Sequence, residues 1–326
     1  MEATAQAQPN IALVKYWGKR EPVSNLPAVG SLSVTLDELW TRTRVRFDET
    51  IAADRFELNT RASAETSRVT ACLDRLRGLA GTQRRALVSS RNNFPTGAGL
   101  ASSASGFAAL VAAAAQALGL ELSGEEISRL ARRSSGSAAR SVFGGFVELP
   151  AADSSTADVA ATPLLAASAW PLGVTIAITS TKAKAVGSGE GMQHTAETSA
   201  YYDAWVQTAA ADLVEARRAV LARDFETLAT VSERSCLKMH AAMMAAQPGL
   251  VYWNGATVEC VHCVRALRES GVPVFFTIDA GPQVKAVSPP EHAATVRKAL
   301  AAVPGVIDIL HSGIGGGVRI IESEPS

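Results

Sequence analysis

The sequence predicts a mixed α+β fold in two domains, on three observations. Residues 1–57 read as strands, with apolar and polar side chains alternating at a period of two. Helical and strand patterns then follow in both halves without regular βαβ alternation. Residues 151–169 are rich in Ala, Ser, Thr and Asp with weak periodicity, and read as a linker in a chain of 326 residues, at about 150 residues per domain. The expected division is 1–168 and 169–326.

Residues 11–16 are apolar, 31–36 alternate, and 41–47 alternate Thr, Val and Phe with Arg; Asn25, Leu26, Pro27 and Gly30 supply turns. Residues 61–80 place Val69, Cys72, Leu73, Leu76 and Leu79 on one helical side. A short strand is expected at 86–90. The stretch from Asn92 starts as a loop and grades into an Ala-rich helix ending near Leu118, with Gly119 as its cap. Ser123 and Glu126 make a capping-box pattern that opens a helix through Arg133. Residues 134–141 are a second small-residue stretch, and 143–149 a strand. Beyond the linker, 174–180 reads as a strand, 197–223 as one long helix, and 225–246 and 257–269 as two more. Gly271 ends the last of these, 272–278 is an apolar strand, and 291–303 a helix. Residues 306–310 and 318–321, joined by the Gly-rich stretch 313–317, are expected to close as a hairpin.

Hydrophobic residues make up 47% and charged residues 19%, enough apolar material for a sizeable core and too much for a disordered chain. Thirty-one basic side chains balance thirty-one acidic ones, whereas a nucleic-acid binder normally carries a basic excess. No apolar run reaches the roughly 20 residues of a membrane span. The first residues show neither the basic nor the apolar stretch of a secretory signal, and four cysteines are too few for a disulfide scaffold. The expectation is a cytoplasmic protein with no nucleic-acid or membrane partner.

Chemistry concentrates in four stretches. In Pro95-Thr-Gly-Ala-Gly-Leu-Ala-Ser-Ser-Ala-Ser-Gly106, small residues let backbone N–H groups approach a ligand, and the following helix points its positive end at the loop. That is a phosphate cradle, or by composition alone a tight helix entry. Three hydroxyls, Ser102, Ser103 and Ser105, favour the ligand, since they can bind phosphate oxygens or Mg²⁺; the Gly-Lys-Ser/Thr ending of a Walker loop is missing. In Asn10-Ile-Ala-Leu-Val-Lys-Tyr-Trp-Gly-Lys-Arg20, a strand runs into a turn bearing Lys15, Lys19 and Arg20 beside Tyr16 and Trp17. This suits a polyanion, although taken alone an amphipathic strand with solvated lysines fits it better. Ser135-Gly-Ser-Ala-Ala-Arg140 ends in an arginine able to clamp a carboxylate or phosphate. Thr277-Ile-Asp-Ala-Gly-Pro282 puts Asp279 at the end of an apolar strand, either to accept from a substrate hydroxyl or to shape the turn.

Taken together, these four stretches resemble the diphosphomevalonate decarboxylases, in the superfamily of galactokinase, homoserine kinase, mevalonate kinase and phosphomevalonate kinase (GHMP). The likeness runs from Asn10 to Pro282 with the motifs in the expected order; beyond it only the composition of the glycine stretch is similar. The resemblance implies a GHMP-kinase-like α+β fold with the active-site cleft between two domains, and frequently a homodimer. It implies ATP-dependent decarboxylation of mevalonate 5-diphosphate to isopentenyl diphosphate, with ATP and Mg²⁺. Residue by residue, it implies that Pro95, Gly97, Ala98, Gly99, Leu100, Ala101, Ser102, Ser103 and Ser105 cradle ATP phosphates, with Ser103 at the transferring phosphate and the candidate Mg²⁺ contact. Asp279 would face the C3 hydroxyl, Arg140 hold the C1 carboxylate with Asn10 supporting it, and Lys15 lie near the reacting centre. Tyr16, Lys19, Ser135 and Ser137 would help bind the diphosphorylated substrate.

Residues 181–192 depart from the family pattern: they replace a Ser/Thr-rich closing loop with one carrying Lys182, Lys184 and Ser188, which suits phosphate contacts and a solvated loop equally. Cys260-Val-His-Cys263 sits in a helical pattern without a second cysteine pair, which reads as packing. Arg75, Arg77, Arg84 and Arg85 read as a solvated face. The alternatives are a mevalonate 5-phosphate decarboxylase, a mevalonate 3-kinase and, from another class, a non-catalytic ligand-binding homologue.

Overall fold

Strand patterns in the first half build two large sheets and a two-stranded ribbon, and those in the second build a four-stranded sheet and add one edge strand to the first half's largest sheet. The computed structural model describes residues 1–63, 65–95, 99–152, 158–182 and 184–322. The first half holds β1 (Glu2–Ala7), β2 (Asn10–Val14), β3 (Lys19–Glu21), β4 (Leu26–Pro27), β5 (Ser31–Thr35), β6 (Thr41–Asp48), β7 (Arg55–Leu58), β8 (Arg61–Ala62), α1 (Thr66–Ala80), β9 (Arg85–Asn92), α2 (Ser102–Ala117), α3 (Gly124–Ser134), β10 (Phe146–Leu149) and β11 (Thr162–Leu165). The second holds β12 (Gly173–Ile178), α4 (Ser188–Thr198), α5 (Tyr202–Ala222), α6 (Phe225–Met244), α7 (Gly255–Glu269), β13 (Phe275–Thr277), β14 (Val284–Ser288), α8 (Ala293–Ala301), β15 (Asp308–Ser312) and β16 (Arg319–Ile321). Strand orders are β16-β1-β6-β9-β7-β8, β11-β10-β5-β2 and β13-β14-β12-β15. Among the described residues no helix is long and apolar enough to cross a membrane.

β6 shows how the alternation works. Thr41, Thr43, Val45 and Phe47 are buried, while the arginines between them stay at least partly exposed. The inward residues meet α2, whose alanines let the helix lie close to β1 and β6. β2 and β5 are buried along their whole length. Ile11, Leu13, Leu32 and Val34 pack with Leu213 and Val220 of α5, Leu228 of α6 and Ile176 of β12, so one core cluster spans both halves.

Several elements differ from expectation, each for a local reason. The long helix at 197–223 is two helices. Ser199 donates its hydroxyl to Ala242 O at 2.6 Å and accepts from Tyr201 N at 3.3 Å, which ends α4 and turns the chain. The expected linker contains β11, an edge strand paired with β10. The C-terminal hairpin does not form. β15 pairs with β12 and β16 with β1, so the glycine stretch carries the chain from one sheet to another. It threads through backbone bonds, Gly315 N to Thr35 O at 2.7 Å and Gly145 N to Gly315 O at 2.9 Å. A Cβ at Gly317 would meet Val142 O at 2.5 Å, so side chains there would block the passage. Arg77 is not solvated: it is buried, 2.8 Å from the buried carboxylate of Asp54.

Candidate active site

Four loops and strand ends converge on one cavity of about 680 Å³, lined by residues from both halves of the chain. β2 delivers Asn10 and, at its end, Lys15, Tyr16 and Trp17; the loop before α2 delivers Gly99 to Ser103; the helical turn 136–142 delivers Ser137 and Arg140; the turn after β13 delivers Asp279.

Arg140 is buried beneath this cavity. Its guanidinium donates to Ser33 Oγ at 3.0 Å, Ser31 Oγ at 2.5 Å and Asn10 Oδ1 at 3.3 Å. All three partners are neutral, and among the described residues no carboxylate pairs with it. Burial lowers its pKa to about 10, so it stays charged at neutral pH. An unpaired buried cation at a cavity wall is an anion site in waiting, because an incoming carboxylate restores the compensation that burial removed. Asn10 is itself locked, donating to Ser137 O at 3.0 Å and Ser141 Oγ at 2.8 Å.

Asp279 lies between two buried lysines. Lys15 Nζ reaches Oδ1 at 3.0 Å and Lys285 Nζ lies 3.1 Å from Oδ2. Burial pushes this carboxyl up, but Lys15 and Lys285 outweigh it and hold the group well below the usual carboxylate range. Lys15 also donates to Ala12 O at 2.7 Å, which fixes its head. Beneath the turn, His240 is buried and its pKa is lowered to about 3 by desolvation, so it is neutral at physiological pH.

Ala101 precedes α2 in a left-handed conformation (φ 56°) and gives no side-chain cap, leaving N–H groups of the first turn open toward the cavity. Gly99, Leu100, Ala101, Ser102 and Ser103 line it, and Ser103 Oγ accepts from Ser135 Oγ at 3.4 Å. Ser105 does not: it is fully buried, 2.6 Å from Thr41 Oγ1, and ties α2 to β6. Ser105 stands one turn deeper in α2, on the side that packs against β6; its hydroxyl is taken up by Thr41, so its assignment as a phosphate ligand is withdrawn. Pro95 is exposed and outside the described lining; Gly97 and Ala98 lie outside the described residues.

Tyr16, Lys19, Ser135 and Ser137 line the same cavity, together with Arg68 of α1 and Arg75. Burial raises the Tyr16 phenol to about 12, so it is a hydrogen-bond donor throughout the working range. Burial, aided by Arg68, lowers the Lys19 ammonium. Lys184 also lines the cavity, donating to Ser188 Oγ at 2.9 Å.

Residues 7–161 match the family model described as the diphosphomevalonate decarboxylase-like N-terminal domain, and 174–309 the mevalonate 5-diphosphate decarboxylase C-terminal domain. The diphosphomevalonate decarboxylase of Candida albicans is 38% identical over 302 residues, 86% of this chain and 82% of its own length. This chain belongs to the diphosphomevalonate decarboxylase family.

Solved structures of the family agree. Mevalonate diphosphate decarboxylase from Staphylococcus aureus superposes with a TM-score of 0.93 at 37% identity, covering 98% of both chains. A complex of the protein designated MDDEF with MVAPP, AMPPCP and magnesium gives 0.92 at 37%, covering 99% of both. The GHMP-type α+β fold in two domains is thereby established for this decarboxylase-family chain. Sequence reasoning missed Lys285, Arg68 and Arg75. Arg68 and Arg75 carry a legible signal, since they recur on one face of α1 at helical spacing; Lys285 carries none, because its strand is buried on both sides.

Proposed function

We propose that this chain catalyses the ATP-dependent decarboxylation of mevalonate 5-diphosphate, giving isopentenyl diphosphate, ADP, phosphate and CO₂. The observation that carries it is the buried, unpaired Arg140 in one cavity with Asp279 and the open N-terminus of α2. A kinase acting on a simple alcohol has no need of a buried carboxylate holder.

In this reading Asp279 orients the C3 hydroxyl for attack on the γ-phosphorus. Two ammonium groups make it a weak base, so it acts as a fixed charge more than as a proton acceptor, which a loose phosphoryl-transfer transition state tolerates. The hydroxyl becomes a phosphate ester, a far better leaving group than hydroxide. As the C3–O bond breaks, electron deficiency at C3 draws the C1–C2 bonding pair into the new double bond and CO₂ leaves. Arg140 holds that carboxylate in line, with Asn10 fixing the guanidinium. Lys15 steadies Asp279 at the reacting centre. Tyr16, Lys19, Ser135 and Ser137, joined by Arg68, grip the remote diphosphate. Gly99, Leu100, Ala101, Ser102 and Ser103 receive the nucleotide phosphates.

Among the described residues no three His, Cys, Asp or Glu side chains could cage a metal. The donor set fits Mg²⁺ carried mainly by phosphate oxygens and water, with Ser103 as the hydroxyl assigned to it. When bound there, Mg²⁺ supplies neutralisation of the charge on the transferring group. We assign residues 1–168 and 169–326 to the two domains, with β16 returning to the first sheet. We place the protein in the cytoplasm, in keeping with its free cysteines, and expect a homodimer, checked by light scattering.

The deciding experiment measures ADP and CO₂ separately with mevalonate, its 5-phosphate and its 5-diphosphate. Equal ADP and CO₂ from the diphosphate alone is the expected result. CO₂ from the monophosphate alone moves the assignment to a mevalonate 5-phosphate decarboxylase, ADP without CO₂ to a 3-kinase, and no turnover to a ligand-binding homologue.

A further inference from the structure

We propose that Lys285 is a positioning residue for this reaction, fixing the second carboxylate oxygen of Asp279 and tying it to the carbonyl of Gly99 in the nucleotide loop. The proposal rests on the reading of Asp279 given above.

Lys285 sits in β14 opposite Thr277 of β13, two residues before Asp279. Its side chain is fully buried, and Nζ donates to Gly99 O at 3.0 Å while standing 3.1 Å from Asp279 Oδ2. A buried ammonium carries a desolvation cost of several kcal/mol unless its partners are well placed, so its presence needs an account. Lys15 alone would hold Oδ1 and leave the carboxylate plane free to rotate about Cβ–Cγ. A second cation on Oδ2 fixes that plane.

The link to Gly99 adds a register between the halves. Gly99 has φ +78°, and a Cβ there would lie 2.6 Å from Gly281 O, two residues past Asp279. The nucleotide loop and the Asp279 turn are therefore in contact at both the backbone and the lysine. Displacement of the loop by a bound nucleotide is transmitted to the carboxylate through Nζ. Two ammonium groups against one carboxylate also leave the floor of the cavity positive, the sign an arriving phosphoryl group requires.

The charged and titratable groups around Asp279 are Lys15, Lys285, Arg140 and Lys184, with the neutral imidazole of His240 and the buried thiol of Cys236 beneath it. Removing Lys285 takes away one of the cations that keep the carboxyl ionised.

The test compares Lys285→Met, Asp279→Asn and the double variant in the full chain, with mevalonate 5-diphosphate, ATP and Mg²⁺. Lys285→Met is expected to lower kcat by about tenfold or more with both KM values within about threefold, and to move the acid limb of the kcat profile to higher pH. Added to Asp279→Asn it is expected to lower kcat no further, because both changes act through one carboxylate. Wild-type kcat with an unmoved acid limb, or losses that multiply in the double variant, overturns the proposal. If Lys285→Met does not fold, Lys285→Arg decides: it must keep the acid limb while lowering kcat, and either an unchanged kcat or a shifted limb refutes the role. Normal turnover by Asp279→Asn instead refutes the reading of Asp279 itself.

Discussion

Asn10 Oδ1 accepts a hydrogen bond from Arg140 Nη2 at 3.3 Å, and no carboxylate among the described residues competes for that guanidinium. The neutrality of Asn10 is the point. Asn10→Ala frees one edge of the guanidinium, and a small loss of aim at the reacting end is expected to lower kcat/KM about a hundredfold. Asn10→Asp keeps the shape but supplies an internal anion. It is expected to raise KM for the diphosphorylated substrate more than Asn10→Ala does, because the substrate carboxylate must now displace a resident one. Steady-state kinetics of the two variants decide this; a lower KM in Asn10→Asp contradicts the carboxylate-holder role.

Asp279→Asn removes the charge between Lys15 and Lys285 while keeping the size of the side chain. Turnover is expected to fall by about a thousandfold, within the span of losses seen for positioned acid–base groups. ATP binding, measured by titration calorimetry, is expected to stay nearly intact, since the phosphates are held by the loop before α2. In the wild type, the lowered carboxyl stays ionised down to unusually acid pH. The acid limb of the wild-type kcat profile therefore belongs to another group and Asp279→Asn leaves it unmoved, whereas removing Lys285 raises the Asp279 carboxyl far enough for it to set the limb.

The chemistry was more legible in the sequence than the topology, for physical reasons. Asn10, Lys15, Arg140 and Asp279 stand at strand ends and in small-residue turns whose motifs resemble the family's, and all four line one cavity. Composition alone fitted solvated lysines better in the first stretch and left Asp279 open as a turn residue. β1 fell in the stretch read as strands but received no bounds of its own, because its inward residues, Ala3, Ala5 and Ala7, are small enough to admit α2 and so carry little strand signal. β14 hid because burial on both faces erases alternation, and Lys285 within it drew no reading. The false hairpin came from reading Gly313 to Gly317 as a turn, when those glycines serve close backbone passage between two sheets. Ser105 was grouped with Ser102 and Ser103 by composition, but it lies one turn deeper in α2 where the helix meets β6 and its hydroxyl bonds Thr41.

Gly99→Ala tests the contact between the loop and the Asp279 turn. The left-handed φ costs an alanine about 1 kcal/mol, and the added Cβ would sit 2.6 Å from Gly281 O, so backbone must move. Because both sides of the contact belong to the site, the expected outcome is a rise in KM for ATP together with a drop in kcat. Thermal melting is expected to shift by only a few degrees. A stability loss without a kinetic one would show that the loop and turn do not communicate.

Asp54 and Arg77, neither of which lines the cavity, supply a prediction about the fold alone. The Asp54 carboxylate accepts from both Nη atoms of Arg77, at 3.1 and 2.8 Å, and from Ala86 N at 2.8 Å, joining α1 to β9. Burial raises this carboxyl, yet Arg77 and the Ala86 amide prevail and hold it below its ordinary value. A group depressed in the folded state stabilises above its unfolded pKa of about 3.9, and that contribution disappears as pH falls through the folded value. Asp54→Asn leaves Arg77 with Asp74 as its remaining carboxylate, 2.6 Å away and half exposed, and the Arg84 carbonyl at 3.4 Å. The expected loss is about 3 kcal/mol, the lower end for a broken buried pair. Urea unfolding at neutral pH should show this gap between wild type and variant, and repeating it at falling pH should close it, because protonation removes from the wild type what the substitution removed already. A gap that persists at low pH would assign the loss to packing instead of charge.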